Sequence, residues 1–213
     1  MAHGWNMNIF PYRLRFSKTG KMRFLSHHDL MRLFERALRR SLLPLRMTEG
    51  FNPHPILSFP TALGLGIESL DEILEFELSA WTPPAKIEAA LGGQLPEGMK
   101  LLKVEAFARK DRSAVEFVEY EARLPEGVDP AAGAKEFLAK PELWIERKSD
   151  KGSKKVELRR YVIAIVTEPG RALLRIRVTD QGTAKPEEVL RAIGVETGPD
   201  VRIRKTYTEV GIR

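Results

Sequence analysis

Apolar and basic residues alternate near the start of the chain, in the segment PYRLRFSKTG. Tyr12, Leu14 and Phe16 occupy every second position, and Arg13 and Arg15 lie between them. Alternation with a period of two is typical of a β-strand that packs one face on a hydrophobic core. The segment therefore predicts a strand with one apolar and one basic face, followed by a turn at KTGK.

The next segment, SHHDLMRLFERALRRSLLP, has the pattern of an amphipathic helix. Ser26 and Asp29 stand three residues apart, as in a capping box at the start of a helix. The apolar stripe recurs at intervals of three and four and consists of Leu30, Leu33, Phe34, Ala37 and Leu38. The other side carries Arg32, Arg36, Arg39 and Arg40. Because proline breaks helices, we expect the helix to end shortly before Pro44.

The rest of the first half alternates between strand and helix patterns. A loop, GFNPHP, leads into a short apolar run, ILSFP, and the segment EILEFELSA then alternates like a strand. TPPAKIEAALGGQLP has proline near the start of a helix and two glycines at its end, and MKLLKVEAF closes as a strand. The resulting β-α-β-β-α-β order is that of a ferredoxin-like unit.

The second half predicts the same order with one extra strand. The strand patterns are EFVEYEARLP, LWIERK, VELRRYVIAIV, ALLRIRVTD and DVRIRKTYTEV. The helix patterns are DPAAGAKEFLAK, with Asp129 as its cap and Pro130 just inside, and KPEEVLRAIG. We expect an α+β protein of two tandem ferredoxin-like units with antiparallel sheets, at residues 1–110 and 111–213, and a boundary near residues 109–115.

Composition removes several classes of function. The 213 residues contain no cysteine, which excludes disulfides, thiolate metal sites and iron–sulfur ligation by this sequence. Four histidines, at positions 3, 27, 28 and 54, show no metal-ligand spacing, so we expect neither a metal nor a cofactor. No apolar run approaches the roughly 20 residues that span a bilayer, and the first residues lack a signal-peptide pattern. A cytoplasmic protein without a membrane partner is expected.

The positive charge is concentrated in one part of the sequence. The formal net charge is +6, and residues 11–50 alone hold ten Lys or Arg against three Asp or Glu. Three predicted strands carry an Arg-x-Arg pair on the face away from the helices: Arg13, Arg15, Arg175, Arg177, Arg202 and Arg204. Such a basic face binds RNA in many small α/β modules, and Lys21, Arg23 and the helix arginines would add to it. The alternative is a solvated face whose arginines are neutralised by Glu on neighbouring strands.

Two histidines are candidates for chemistry. His27 lies in the first turn of the predicted helix, where a neutral imidazole or an anion is favoured, although a packed cap residue is the commoner outcome. In the GFNPHP loop, Pro53 and Pro55 hold Asn52 and His54 in extended conformations. Rigid presentation suits binding, but it suits the start of a strand equally, with Phe51 as a core anchor. No Ser-His-Asp order, P-loop or dinucleotide-binding glycine motif is present.

Four linked motifs carry a family resemblance. They are K-x-R-F-L-S-H-x-D-L at Lys21–Leu30, E-R-A-x-R-R at Glu35–Arg40, G-F-N-P-H-P at Gly50–Pro55 and L-G-x-E-S at Leu65–Ser69. In this order they resemble the uncharacterised radical-SAM-linked family, whose members are encoded beside, or fused to, a radical SAM enzyme. The second half matches that family only in length and general character, and His28 departs from the family pattern.

The resemblance implies a fold similar to RAMP-type CRISPR repeat endoribonucleases, an RNA partner, and a separately encoded radical SAM enzyme. It also links Asn52, His54, His27 and Asp29 as one candidate site. The leading hypothesis is an RNA-binding accessory protein in tRNA or rRNA modification. The alternatives are a metal-independent endoribonuclease that uses His27 or His54 as general acid or base, and a protein–protein interaction module without nucleic acid.

Overall fold

The protein mixes helices with mostly antiparallel strands and belongs to the α+β class. The computed structural model describes residues 9–108, 113–149 and 152–212. The chain divides into two compact units, residues 1–114 with the last three residues, and residues 115–210. Residues 109–112, at the expected boundary, and His3 lie outside the described residues.

The first unit contains the elements that the alternating pattern predicts. Its strands are β1 (Phe10–Lys18), β2 (Leu57–Ser58), β3 (Glu68–Leu78) and β4 (Met99–Ala106), and its helices are α1 (His27–Arg40) and α2 (Pro84–Gly92). Strand β1 pairs antiparallel with β3 on one side and β4 on the other, and β2 pairs with β3. The spatial order is therefore β2-β3-β1-β4. A 3-10 turn at Gly20–Phe24 continues the turn predicted after β1.

The predicted apolar faces of β1 and α1 meet in the core of this unit. Tyr12, Leu14 and Phe16 are fully buried, in one cluster with the buried helix residues Leu30, Phe34, Ala37 and Leu38. The rings of Phe16 and Phe34 meet edge to face, with 4.7 Å between their centroids. The buried residues of α1 all lie on one side of the helix, so the opposite side faces solvent.

The second unit has the same alternation with an inserted hairpin. Its strands are β5 (Ser113–Arg123), β6 (Trp144–Ser149), β7 (Gly152–Glu157), β8 (Val162–Glu168), β9 (Arg171–Thr179), β10 (Gly182–Thr183) and β11 (Arg202–Ile212). Its helices are α3 (Ala131–Ala139) and α4 (Pro186–Ala192). Strand β9 pairs with β5 on one side and with β8 and β10 on the other, and β5 also neighbours β11. Strands β6 and β7 form a separate two-stranded sheet.

Three local features differ from the sequence prediction. VELRRYVIAIV is not one strand, because a 3-10 turn at Arg159–Tyr161 separates β7 from β8. The Glu157 carboxylate accepts hydrogen bonds from the backbone N–H groups of Arg159 and Arg160, at 2.9 and 2.7 Å, and these bonds end the strand. Pro130 is the N-cap of α3 rather than its first residue, while the Asp129 carboxylate accepts from the Ala131 N–H. The two-residue strand β10 was not predicted. No helix in the described ranges is long and apolar enough to cross a membrane.

A buried tyrosine links β1 to the segment before α2. The Tyr12 hydroxyl donates to the Thr82 carbonyl and accepts from the Thr82 N–H, each at 2.8 Å. Tyr12→Phe would leave both backbone groups without this partner, so we expect a loss of about 1–3 kcal/mol in the free energy of unfolding. Denaturant unfolding with an unchanged m-value would measure it. A loss below about 0.5 kcal/mol would contradict this role, since surface changes have that size.

Candidate nucleic-acid interface

The strand arginines of the first unit are neutralised by carboxylates. Strand register places Arg13 opposite Glu75 on β3 and Glu105 on β4. Its guanidinium lies 3.2 Å from Glu75 and 3.3 Å from Glu105, and its side chain is only 10% exposed. Arg15 lies 2.6 Å from Asp71. These two residues therefore present little uncompensated charge to a ligand.

One carboxylate of this face, Glu105, has a pKa below its ordinary value. Burial alone would raise the pKa of Glu105, but the bonds from Lys103 and Arg13 outweigh burial and hold the pKa below its ordinary value. The Glu77 carboxylate is almost fully buried and pairs with Arg46. The predicted alternative, neutralisation by Glu on neighbouring strands, therefore describes Arg13 well.

The remaining predicted basic residues differ in their surroundings. Arg175 pairs with Glu119 at 2.6 Å and lies over the Phe117 ring, 5.0 Å from its centroid. Arg177 and Arg202 are exposed, and Arg204 is partly buried. Lys21 is exposed, whereas Arg23 is partly buried, lies over the Phe24 ring and approaches Glu68 at 3.9 Å.

The outer face of α1 carries a stripe of arginines without carboxylate partners. The arginine stripe consists of Arg32, Arg36, Arg39 and Arg40, all exposed. Their spacing of three and four residues places them on one side of the helix, over about 12 Å along its axis. Among the described residues, none of the four lies within ion-pair distance of an Asp or Glu. The helix arginines, unlike Arg13 and Arg15, keep their charge available to solvent.

The GFNPHP segment forms a closed loop beside the end of this stripe. The Thr48 N–H donates to the His54 carbonyl at 2.8 Å, and the His54 N–H donates to the Thr48 hydroxyl at 3.1 Å. We call residues 48–54 the tip loop. Gly50 has a φ of +121°, a conformation that side chains disfavour. The Arg39 guanidinium donates to the Pro53 carbonyl at 2.8 Å and so ties the tip loop to α1.

Phe51 is fully exposed at the turn of the tip loop. The interpretation of Phe51 as a core anchor is therefore wrong. It is two residues from Pro53, which limits the separation of their Cα atoms to about 7 Å. A fully solvated phenylalanine is unusual, because burying its ring would be favourable. Neither the composition nor the periodicity of the sequence signals this exposure.

The four candidate catalytic residues do not form one hydrogen-bonded cluster. His27 lies at the start of α1 and packs its ring edge-on against Phe59, with 5.5 Å between centroids. Asn52 and His54 belong to the tip loop, which Arg39 holds about 18 Å further along the helix by its rise per residue. In the ranges that the structure describes, no hydrogen bond joins His27 or Asp29 to either loop residue. His27 is exposed to solvent apart from this ring contact.

Asp29 acts as part of the predicted helix cap. Ser26 accepts from the Asp29 N–H at 3.1 Å and donates its hydroxyl to the Asp29 carboxylate at 2.6 Å. The hydroxyl bond is the main cause that lowers the pKa of Asp29, with a smaller contribution from Arg32. In the described part of the chain, no group of three or more His, Asp or Glu side chains could hold a metal ion.

A family comparison covers most of the chain. Residues 11–191 match the profile of a family described as "Uncharacterized protein conserved in bacteria (DUF2344)". The chain belongs to this family. The matched region includes α1, the tip loop and the β6–β7 hairpin. No curated protein matches the chain in a sequence comparison. The family description names no activity, so function has to be argued from the residues.

The cap pair predicts a change in one pKa. Ser26→Ala removes the hydroxyl that bonds the carboxylate, so we expect the pKa of Asp29 to rise toward its ordinary value. A lowered folded-state pKa stabilises the protein above the unfolded-state pKa, and this stabilisation is lost as the pH falls through the folded-state value. Carboxyl NMR titration would measure the shift. Ser41→Ala, at the other end of α1, is the matched control and should leave Asp29 unchanged.

Proposed function

We propose that this protein binds RNA through the arginine stripe of α1 and the tip loop. The observation that carries the proposal is four exposed arginines on one helix face that form no ion pair with an Asp or Glu within the described residues, together with the fully exposed ring of Phe51 in the loop that Arg39 bonds. Guanidinium groups bind phosphates in planar, bidentate geometry. Aromatic rings stack on unpaired bases. The combination favours RNA with unpaired loops, such as tRNA or rRNA, over an uncharged partner.

We propose the role of an accessory protein rather than an enzyme. His27 and Asp29 are separated from Asn52 and His54, and the arrangement offers binding groups rather than an acid–base pair. The partner that the sequence resemblance suggests is a separately encoded radical SAM enzyme, because the 213 residues contain no cysteine for an iron–sulfur cluster. This partner and a role in RNA modification rest on the resemblance alone.

We infer a tandem ferredoxin-like architecture. The first unit follows the order β1-α1-β2-β3-α2-β4, and the second follows it with the β6–β7 hairpin inserted after α3. In each unit the first strand, β1 or β5, lies between the penultimate major strand and the last one. These features also support the suggested likeness to RAMP-type endoribonucleases.

The endoribonuclease alternative stays a prediction. Incubating RNA with the protein in EDTA and analysing the ends for a 2′,3′-cyclic phosphate would detect such cleavage. If activity is present and neither His27→Ala nor His54→Ala lowers it, those two histidines are not its acid and base. Co-purification with a radical SAM enzyme but without nucleic acid would favour the protein–protein alternative.

Charge reversal on the stripe should weaken RNA binding. In Arg32→Glu/Arg36→Glu, neither replaced side chain makes a hydrogen bond within the described residues, so the fold should persist. We expect affinity for a tRNA at about 0.1 M salt to fall more than about tenfold. The slope of log K against log salt should fall by about one for each lost phosphate contact. Filter binding or fluorescence anisotropy over a salt series would measure both.

The matched control for this variant is Lys86→Glu/Lys135→Glu. Both lysines are exposed, one on α2 and one on α3, and the pair lowers the formal net charge by the same amount. The control should bind RNA nearly as the parent protein does. Equal weakening by both variants would show that net charge alone matters, and the arginine stripe would then not be the interface.

Phe51 should contribute through stacking rather than charge. Phe51→Ala removes a fully exposed ring, so folding stability should not change by more than about 0.5 kcal/mol. Affinity for a single-stranded oligonucleotide should fall by about 1–3 kcal/mol, the usual contribution of one stacked base, with an unchanged salt slope. Trp81→Ala, at another exposed aromatic residue of the same unit, is the control. Unchanged affinity in Phe51→Ala would remove the tip loop from the interface.

A further inference from the structure

An open groove in the second unit combines an exposed tryptophan with lysines that form no ion pair within the described residues. It lies beside the β6–β7 hairpin, has a volume of about 440 Å³, and is lined in part by Trp144, Lys154, Lys155, Arg160, Tyr161 and Gln181. None of these residues belongs to the arginine stripe or the tip loop. The sequence prediction included none of them among its RNA-binding residues.

Trp144 is held at the edge of this groove by a specific bond. Its side chain is 58% exposed, and its indole N–H donates to the Glu142 carboxylate at 2.9 Å. Strand register places Trp144 opposite Glu157, and therefore diagonal to Lys155 on the same face of the hairpin. A tryptophan fixed by its edge can offer its ring face to a planar ligand without losing much side-chain entropy.

The lysines of the groove have no carboxylate partner. Lys154 and Lys155 are exposed, and within the described ranges neither lies at ion-pair distance from an acidic group. Strand register places Glu146 directly opposite Lys155, and Glu157 lies two residues from Lys155 on the same strand. Glu157 accepts from three backbone N–H groups, including that of Leu143 at 2.9 Å, and Glu146 accepts from the Ser153 hydroxyl. These neutral donors orient both carboxylates and leave their charge in place, and within the described residues neither carboxylate forms an ion pair with the lysines.

Arg160 and Arg147 show two different outcomes next to the groove. Arg160 lies over the Tyr161 ring, 5.1 Å from its centroid, and donates to the Gln181 side chain at 2.6 Å, which orients the guanidinium without neutralising it. Arg147 makes a two-pronged pair with Glu188, at 2.7 and 2.6 Å, and that bond raises its pKa above the ordinary value. The charge of Arg147 is thus compensated by Glu188, whereas Arg160 is oriented by an uncharged amide and its charge is not compensated by that bond.

We propose that this groove binds one nucleotide of a single-stranded RNA, with the base stacked on Trp144 and the phosphate contacted by Lys155, on the same face of the hairpin, and by Arg160. Stacking on an aromatic ring together with lysine or arginine contacts to the backbone is the usual mode of binding to single strands. The choice of RNA as the source of the nucleotide rests on the proposed function. The groove itself depends only on its own residues.

Trp144 emission provides a direct test. The sequence has three tryptophans, so the full chain carrying Trp5→Phe and Trp81→Phe reports on Trp144 alone. We expect a short oligouridylate to quench this emission saturably, and salt to reverse the quenching. Added Lys154→Glu/Lys155→Glu should weaken the apparent affinity at least about tenfold, whereas added Lys86→Glu/Lys135→Glu should not. Absent quenching, or quenching that persists unchanged in the lysine variant, would overturn the proposal.

Two further experiments distinguish a free nucleotide from RNA as the ligand, and the groove proposal from the proposed function. Quenching by uridine monophosphate as strong as that by the oligomer would assign the groove to a free nucleotide and overturn the RNA assignment. In the same background, Arg32→Glu/Arg36→Glu should retain quenching by the short oligomer, because the groove does not include α1. If that variant also binds tRNA normally, the proposed function fails while the groove stands. If only the quenching is missing, the groove fails while the proposed function stands.

Discussion

Buried carboxylates on β3 must be paired with cations, and this requirement determines which arginines remain available. Removing a carboxylate from water costs several kcal/mol unless a partner compensates it. Four acidic residues of β3 are buried, at positions 71, 72, 75 and 77, and three of them pair with an arginine from β1 or from the segment before β2. The pairs are Glu75 with Arg13, Asp71 with Arg15, and Glu77 with Arg46. These arginines contribute to the sheet face of the first unit and have little charge left for a ligand.

The basic excess of the first forty residues of the fold therefore contains two kinds of arginine, those paired with carboxylates and those without such a pair in the described residues. Arg13 and Arg15 on β1 are paired with carboxylates of neighbouring strands, whereas the four stripe arginines on α1 form no ion pair within the described residues, although each arginine adds the same unit to the net charge. An RNA phosphate competes only for uncompensated cations, because displacing a buried carboxylate would leave that carboxylate unpaired. The same distinction separates Arg147 from the lysines of the β6–β7 hairpin.

Local patterns in the sequence predicted local structure well. The Ser26 cap and the apolar stripe of α1 depend on residues within four positions of one another, and both occur as expected. The pairing of Arg13 with Glu75 depends on the register of two strands separated by 62 residues, which alternation alone does not specify. The strand break after Glu157 depends on where one carboxylate points. The exposure of Phe51 depends on a loop closed by Thr48 and on the Arg39 bond.

The two proposed contacts share one feature, an exposed aromatic ring together with cations that form no ion pair within the described residues. In each case a hydrogen bond fixes the element that carries the ring: Arg39 holds the loop of Phe51, and Glu142 holds the indole of Trp144. Such fixing lowers the entropy lost on binding, and it therefore matters most where each contact is weak.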